Sequence, residues 1–361
     1  MAGPLNGLTI IEMAGLGPGP FAAMMLADHG AQVIRVERSG MIGVPNDPLL
    51  RSRRSIALDL RREECREVVR KLAATADGLI EGYRPGVMER LGLGPQALLE
   101  ANPALVYGRV TGWGQQGPLA QEAGHDINYL ALTGLLDAIG EKDRPPVPPL
   151  NLVADYAGGG MMLAFAMVAA LLGVERGAAG QVIDASMSDG AALTGALIYG
   201  LRAAGLWNDE RGSNLLDGGE PLYGCYQCAD FKFLALGAIE PQFRQALLDG
   251  LKLAEGASRE EVAAAIAART RDAWVEAFAA SDACVAPVLT ISEAPLHPHN
   301  VARATFIEVG GVIQPAPAPR YSATPTDPPS PPRRKGEDGA AILAEIGYGA
   351  GDIDDLLESA R

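Results

Sequence analysis

The sequence predicts an α/β protein that consists of a large parallel-sheet domain and a smaller α+β domain. Over the first 110 residues, short apolar strands alternate with helical segments, which is typical of a parallel sheet with helical crossovers. After residue 222 the pattern changes to paired strands followed by helices, as expected for an α+β unit. With 361 residues, of which 48% are hydrophobic, the chain is long enough to bury two cores.

The large domain is predicted to begin with a βαβ unit. A strand at 8–14 leads through a glycine-rich loop into a helix at 20–31, which Pro20 opens, and a second strand follows at 32–37. The glycines after the first strand superficially suggest a dinucleotide site. However, Pro18 and Pro20 remove backbone donors that a pyrophosphate would need, and the G-x-G-x-x-G spacing is absent, so NAD or FAD binding is disfavoured.

The remaining elements continue this organisation. In the large domain the pattern predicts strands at 55–60, 78–83, 105–110 and 180–187, and helices at 61–76, 87–91, 95–100, 126–139, 161–174 and 190–206. Later it predicts strands at 223–227, 231–238 and 284–289, and helices at 241–250, 258–280, 340–346 and 353–360. We expect a large domain over 1–210, a linker over 211–222, a small domain over 223–312, and a returning segment with C-terminal helices over 313–361. Since ligands bind at the carboxyl ends of parallel strands, the loops after strands one, two, four and five should form one binding edge.

Composition excludes several classes of function. The net charge of −14 argues against a nucleic-acid partner. The four cysteines are too few for a disulfide framework, and the pair Cys225 and Cys228 lacks the further ligands of a zinc site, so no metal is expected. The N-terminus does not resemble a secretory signal, and the apolar run 161–174 is too short to span a bilayer. We therefore expect a cytoplasmic protein with no membrane partner.

A group of arginines stands out in this acidic chain. Its members lie within the first 84 residues: Arg35, Arg38, Arg51, Arg53, Arg54 and Arg84. Most of them are expected to be solvated side chains on helix faces. A few could instead hold an anionic ligand.

Candidate chemistry is concentrated at two positions. Asp155 precedes the apolar run, so it is expected at the N-terminus of a buried helix, where free N–H groups could stabilise an enolate oxygen. His125 lies upstream, and it is the only one of the four histidines in a context that does not suggest the surface. Structural roles stay open: Asp155 could be a simple N-cap, His125 a buried structural histidine, and Glu240 the cap of a helix that Pro241 begins.

Several sequence blocks resemble the family III CoA-transferases. They are the segments 7–20, 31–37, 54–60, 81–92 and 111–118, and the likeness extends over essentially the whole chain. The resemblance implies a large Rossmann-like domain plus a small one, in a homodimer of two interlocked subunits. The active site would lie between the large domain of one subunit and the small domain of the other.

The resemblance also implies residue roles. Transferases of the family use an aspartate nucleophile at the position of Asp155 and carry a tyrosine at the position of His125. The motif Gly-His-Asp-Ile-Asn-Tyr at 124–129 is instead similar to the racemase branch, in which Glu240 should pair with His125. Arg38 and Arg84 match arginines that contact the CoA phosphates. Further CoA or substrate contacts are expected from Ala57, Gly17, Tyr129 and Asn151.

The expected reaction interconverts (2R)- and (2S)-2-methylacyl-CoA thioesters through an enolate. It needs two acid/base groups, His125 with Glu240 on one face and Asp155 on the other. An apolar pocket would raise the pKa of Asp155 and a helix N-terminus would lower it, and the sequence does not decide between them. CoA is part of the substrate, and no separate cofactor is expected. The alternatives are a CoA-transferase that forms a thioester on Asp155, and a CoA-binding protein without turnover.

Overall fold

The computed structural model describes residues 3–38 and 44–358. Its centre is a six-stranded sheet in which every adjacent pair of strands is parallel. The strands are β1 (Thr9–Met13), β2 (Gln32–Glu37), β3 (Arg53–Ala57), β4 (Gly78–Glu81), β5 (Val106–Thr111) and β6 (Gln181–Ser186). Their order across the sheet is β3-β2-β1-β4-β5-β6. The predicted parallel sheet is confirmed, with strand ends that differ from the prediction by a few residues.

The order of the strands creates a crevice. The chain runs from β1 to β2 and β3 on one side, and then crosses to β4, β5 and β6 on the other. The loops that leave β1 and β4 therefore diverge, and a binding crevice forms at such a point outside the carboxyl ends of the strands. Strands β4 and β5 are buried along their whole length, because helices cover both faces of the sheet.

Helices surround this sheet. They are α1 (Pro18–Asp28), α2 (Glu63–Ala73), α3 (Val87–Arg90), α4 (Pro95–Ala101), α5 (Asp126–Ala131), α6 (Met162–Glu175) and α7 (Met187–Thr194). Helix α2 shows why the sequence folds in this way: acidic residues occupy its first turn, basic residues occupy its last turn, and Val68, Val69 and Leu72 are buried. Helix α5 is shorter than predicted and ends at Ala131 rather than at 139.

The main departure from the prediction is the helix that carries Asp155. A π-helix, Leu152–Met161, runs directly into α6, so the helical stretch Leu152–Glu175 contains 24 residues instead of the 14 expected. With a mean hydropathy of 2.0 over its best window, of which 39% is buried, this stretch meets the length and composition that a membrane span requires. The judgement that it is too short was therefore wrong, although a single helix of this kind is weak evidence of a span.

The chain divides into two compact units. The first contains residues 3–38, 44–133, 149–195 and 306–358, and the second contains 134–148 and 196–305. The first unit also holds an unpredicted hairpin, β10 (Phe306–Val309) with β11 (Val312–Pro315), and the helices α13 (Gly339–Glu345) and α14 (Ala350–Glu358). The domain limits expected from the sequence stay predictions.

The second unit is an antiparallel sheet with helices. Its strands are β7 (Tyr223–Gln227), β8 (Phe233–Gly237) and β9 (Val285–Val288), and its helices are α8 (Ala196–Ala203), α9 (Pro241–Leu251), α10 (Arg259–Ile266), α11 (Arg271–Phe278) and α12 (Pro298–Ala302). The single helix predicted at 258–280 is in fact α10 and α11, because Thr270 interrupts it and caps α11 by accepting from Ala273 N at 3.3 Å. The helix predicted at 190–206 is likewise two, α7 and α8, which are separated at Gly195.

Candidate active site

A cavity of about 310 Å³ lies in the crevice at the carboxyl ends of β1, β4 and β5. Its lining combines the loops after these strands with the start of α5: Leu16, Pro18, Gly82, Tyr83, Arg84, Pro85, Val110, Thr111, Gly112, Trp113, Ala120, Glu122, Ala123, Gly124, His125, Tyr129 and Met187. The loops after these three strands lie at one edge of the sheet, as the sequence predicted, and the binding role of this edge stays a prediction. Tyr83 and Trp113 were not singled out from the sequence, although each lies two residues after the end of a buried strand, which is the signal that could have found them.

His125 stands at the N-cap of α5, where its backbone is extended and its N–H donates to Asn128 Oδ1 at 3.1 Å. The residue is exposed to solvent within this chain. It is therefore not a buried structural histidine. The buried histidine is His29, which is 7% exposed and forms a hydrogen bond between its Nδ1 and Met25 O at 2.7 Å, so the surface context inferred for His29 was wrong.

Asp155 lies in the first turn of the π-helix and is about half buried. Burial raises the pKa of its carboxyl, and the negative charge of Asp126 acts in the same direction. The amide of Asn151, which donates to Asp155 Oδ2 at 3.2 Å, and the charge of His125 oppose this rise. The balance left open by the sequence is thus a raised pKa, which favours a carboxyl that can carry a proton.

The N–H groups beside Asp155 are already bonded. The backbone nitrogens of Ala154 and Asp155 both donate to Asp126 Oδ2, each at 2.8 Å. The expectation that these donors are free to stabilise an enolate oxygen was therefore wrong. The reason is that α5 packs against the π-helix and brings an acceptor to them.

Glycines bring the backbone close to Asp155. At Gly17, whose φ is +66°, an added Cβ would lie 3.3 Å from Asp155 Oδ2. A Cβ at Gly158 would lie 2.4 Å from Ala191 N, and one at Gly190 would lie 1.9 Å from Gly158 O. The π-helix and α7 can therefore pack this closely only because both contact positions lack a side chain.

Tyr129 joins two loops of the cavity wall. Its ring occupies the space where a Cβ at Gly112 or at Gly124 would lie, within 2.0 Å and 2.6 Å of the ring, and its hydroxyl donates to Gly124 O. Trp113 meets the ring edge-on with a centroid distance of 4.8 Å. Tyr129 lines the cavity as a buried ring that holds both loops beside His125.

Three of the six arginines that stand out in the sequence are buried. Arg35, Arg51 and Arg53 are at most 4% exposed, so the expectation of solvated arginines on helix faces was wrong for them. They pair with three carboxylates: Glu12 accepts from Arg35 and Arg53, Glu37 from Arg35, and Asp28 from Arg51. Glu12, Arg35 and Arg53 lie next to one another because β1, β2 and β3 are adjacent strands. Leaving one member of a buried pair without its partner typically costs about 3–5 kcal/mol, so these pairs belong to the core.

Two members of the group remain available for a ligand. Arg54 pairs with Glu345 at 2.7 Å, whereas Arg38 and Arg84 are exposed and form no ion pair with the described residues. Both line a second cavity of about 700 Å³, which shares Tyr83 and Arg84 with the first. The two unpaired arginines therefore stand where an anion could lie beside the cavity that contains His125.

The last two predicted site residues are Ala57 and Glu240. Ala57 ends β3, is buried, and lines neither of these two cavities. Glu240 is in the second unit at the N-cap of α9, exposed, and its side chain makes no capping hydrogen bond, so the capping role considered for it is not supported. Its pairing with His125 stays a prediction. Among the described residues, no group of three or more His, Cys, Asp or Glu is placed to hold a metal ion.

Comparison with known families decides the relationship of the chain. The model of CoA-transferase family III matches residues 5–339. The chain belongs to CoA-transferase family III. The fold described above, with its parallel six-stranded sheet, is the fold of this family.

Relatives within CoA-transferase family III cover nearly the whole chain. Alpha-methylacyl-CoA racemase of Mus musculus is 45% identical, with 97% of this chain and 95% of the relative aligned. The racemase of Homo sapiens is 42% identical, with 98% of both chains aligned. Among solved structures, a CAIB/BAIF family protein from Brucella suis superposes with a TM-score of 0.82 at 28% identity, over 96% of this chain and 100% of that one.

The hydrogen bond from Asn151 leads to a first prediction. Asn151→Ala removes a donor that stabilises the ionised form of Asp155, so the pKa of Asp155 should rise further. The measurement is a ¹³C NMR titration of the protein labelled at aspartate carboxyl carbons. Gln96→Ala is the matched control, because Gln96 donates to Glu100 with the same four-residue spacing and the same 3.2 Å distance, away from the cavity. An unchanged or lowered pKa of Asp155 in the Asn151 variant would contradict this account.

Proposed function

We propose that the chain interconverts (2R)- and (2S)-2-methylacyl-CoA thioesters. The observation that carries this proposal is the 45% and 42% identity to two alpha-methylacyl-CoA racemases over nearly the full length. It is supported by a histidine and a carboxyl group with a raised pKa, whose charges act on each other beside a cavity at the carboxyl edge of the sheet.

In the proposed mechanism the substrate changes only in the position of one proton. One base removes the proton from C2, the electron pair moves into the thioester carbonyl as an enolate, and the second group returns a proton to the opposite face of C2. His125 and Asp155 take these two roles, and they exchange them when the other C2 epimer is the substrate. Both groups can hold and release a proton, so the reaction needs no cofactor besides the CoA of the substrate.

We assign the phosphates of CoA to Arg38 and Arg84. Both guanidinium groups are exposed and without an ion pair among the described residues, and both line the cavity of about 700 Å³. A phosphate placed there would neutralise both charges. The acyl end would then extend toward the smaller cavity, which contains His125.

We also propose that the protein is a homodimer of interlocked subunits in which Glu240 of one subunit orients His125 of the other. Helix α6 supports a dimer, because Phe165, Val168 and Leu172 are 72%, 38% and 48% exposed in the single chain. Such an apolar face is typical of an interface. An exposed Glu240 without a capping role is available to fix the tautomer of a histidine. We further assign the enzyme to the cytoplasm.

The reaction is tested by α-proton exchange. Incubation of the protein with (2S)-2-methylacyl-CoA in D₂O should yield both epimers with deuterium at C2. His125→Ala and Asp155→Asn should each reduce racemisation by about 10²–10⁴-fold, the usual contribution of a general acid or base. His299→Ala is the matched histidine control, since His299 lies on α12. If CoA passed instead to an added free acid, with a thioester trapped on Asp155, the protein would be a transferase.

The phosphate assignment predicts a change in binding. Arg84→Gln should raise KM for the acyl-CoA and leave kcat nearly unchanged, because the contact is the same in the ground state and the transition state. The effect should shrink at high ionic strength. Arg333→Gln, which removes an exposed partner of Glu337, is the control and should alter neither constant. A fall in kcat at constant KM would argue against this role of Arg84.

The proposed dimer predicts that a charged substitution on the exposed apolar face of α6 lowers the mass of the protein in solution. Phe165→Glu places a charge on the apolar face of α6 and should shift the sedimentation-equilibrium mass from dimer toward monomer, with loss of racemisation. Val44→Glu alters a similarly exposed apolar residue, at 70%, and should leave the mass unchanged. A monomeric protein of unaltered sequence that still racemises its substrate would contradict the proposed dimer.

A further inference from the structure

Asp126 connects the two groups that the proposed reaction uses. It is the residue after His125 and opens α5, and its Oδ2 accepts the N–H groups of Ala154 and Asp155 at 2.8 Å each. The peptide bond between His125 and Asp126 and this pair of hydrogen bonds therefore link the backbone of His125 to the backbone of Asp155. A carboxylate that accepts two N–H groups has little freedom to rotate, so it holds the start of α5 against the π-helix.

The second oxygen of Asp126 sets it apart from an ordinary structural link. The residue is 5% exposed, and its Oδ1 is buried without a hydrogen-bond partner among the described residues. A buried carboxylate with an unpaired oxygen is costly. An asparagine could accept the same two N–H groups through its amide oxygen without a buried charge. The two hydrogen bonds alone therefore do not explain why this position carries a charge.

We propose, on the basis of the proposed racemase function, that Asp126 is a positioning residue that fixes His125 relative to Asp155 and keeps a negative charge beside the Asp155 carboxyl. It does not touch the substrate in this assignment. It acts through Asp155, whose protonated form must be available when this residue returns a proton to C2. The buried charge thus serves the reaction rather than the fold.

The electrostatics around Asp155 agree with this geometry. The charges that act on its carboxyl are those of Asp126, which raises its pKa, and His125, which lowers it, while burial is the largest cause of the raised pKa. Burial raises the pKa of the Tyr129 hydroxyl on α5, and the negative charge of Asp155 raises it further. The elements packed against the π-helix carry four further carboxylates: Asp28 on α1, which pairs with Arg51, Glu175 at the end of α6, Asp184 on β6 and Asp189 on α7. Neither these carboxylates nor Arg109 on β5 is among the groups that change the pKa of Asp155.

The test is the pH dependence of kcat/KM for racemisation by Asp126→Asn. The variant keeps an acceptor for both N–H groups and removes the charge, so the ionised form of Asp155 becomes more favourable and its pKa falls. The acid limb of the profile, where the carboxylate of Asp155 is lost, should therefore move to lower pH. The loss of kcat/KM should be smaller than the ~10²-fold or more expected for Asp155→Asn. Asp126→Ser is a second neutral acceptor of N–H groups.

Asp77→Asn is the matched control. Asp77 Oδ2 also accepts a backbone N–H, that of Thr9 at 2.7 Å, but at the amino ends of β1 and β4, the sheet edge opposite the cavity. This variant should leave the acid limb where it is in the unaltered protein. If both neutral variants of Asp126 lost activity equally at every pH, or failed to fold, Asp126 would have only a structural role and the inference would be overturned.

Failure of this inference can be separated from failure of the proposed function. The ¹³C titration of Asp155 needs no substrate, so it compares the pKa in Asp126→Asn and in the unaltered protein even if no racemisation is found. A lowered pKa without racemisation would support the electrostatic role of Asp126 and reject the proposed reaction. Racemisation with an unchanged pKa of Asp155 would support the proposed reaction and reject the electrostatic role of Asp126.

Discussion

The backbone contact between Gly158 and Gly190 determines where Asp155 lies. A side chain at Gly190 would place its Cβ 1.9 Å from Gly158 O, so the π-helix can rest on α7 only with glycine there. On the other side, a Cβ at Gly160 would lie 2.7 Å from the ring of Phe21 on α1. Held between these two helices, the first turn projects Asp155 toward the loop after β1, where Gly17 leaves room for its carboxyl. A π-helix is rarer and less stable than an α-helix and occurs often at functional sites, which fits a carboxyl whose position depends on it.

Buried arginines also hold the loop after β1 and the start of α1 in place. Arg53 donates to Pro20 O at the start of α1, and Arg35 lies 3.4 Å from Gly15 O, while both share Glu12. Since the desolvation of such groups is costly, their value lies in directional hydrogen bonds that fix the loop rather than in net stability. Arg38 follows β2, one residue beyond its last, at the edge where the cavities lie. Arg35 thus lies within β2 and is buried, whereas Arg38 follows the strand and is exposed.

The sequence was sufficient to predict the sheet and to single out His125 and Asp155, but not to predict the geometry around them. The strands could be predicted because parallel strands buried on both faces are short apolar runs between helices, and β2 was predicted with its correct limits. The π-helix could not, because Gly158 to Gly160 look like a helix breaker until α1 and α7 are placed against them. Similarly, nothing local distinguishes the buried Arg53 from the exposed Arg38. The bond between Asp126 and Asp155 depends on a tertiary contact across 29 residues, which no periodicity reveals.

The environment of Asp155 follows from a requirement of the proposed reaction. The two epimers of the substrate differ only at C2 and have nearly equal free energy, so each catalytic group must act as a base in one direction and as an acid in the other. An ordinary aspartate is a far weaker base than an ordinary histidine, and a pair with such unequal proton affinity would leave the aspartate ionised and unable to donate. Burial of Asp155 and the charge of Asp126 both raise its pKa and so reduce this inequality. The amide of Asn151 opposes them while it orients the carboxyl, which keeps Asp155 ionisable when it must accept a proton.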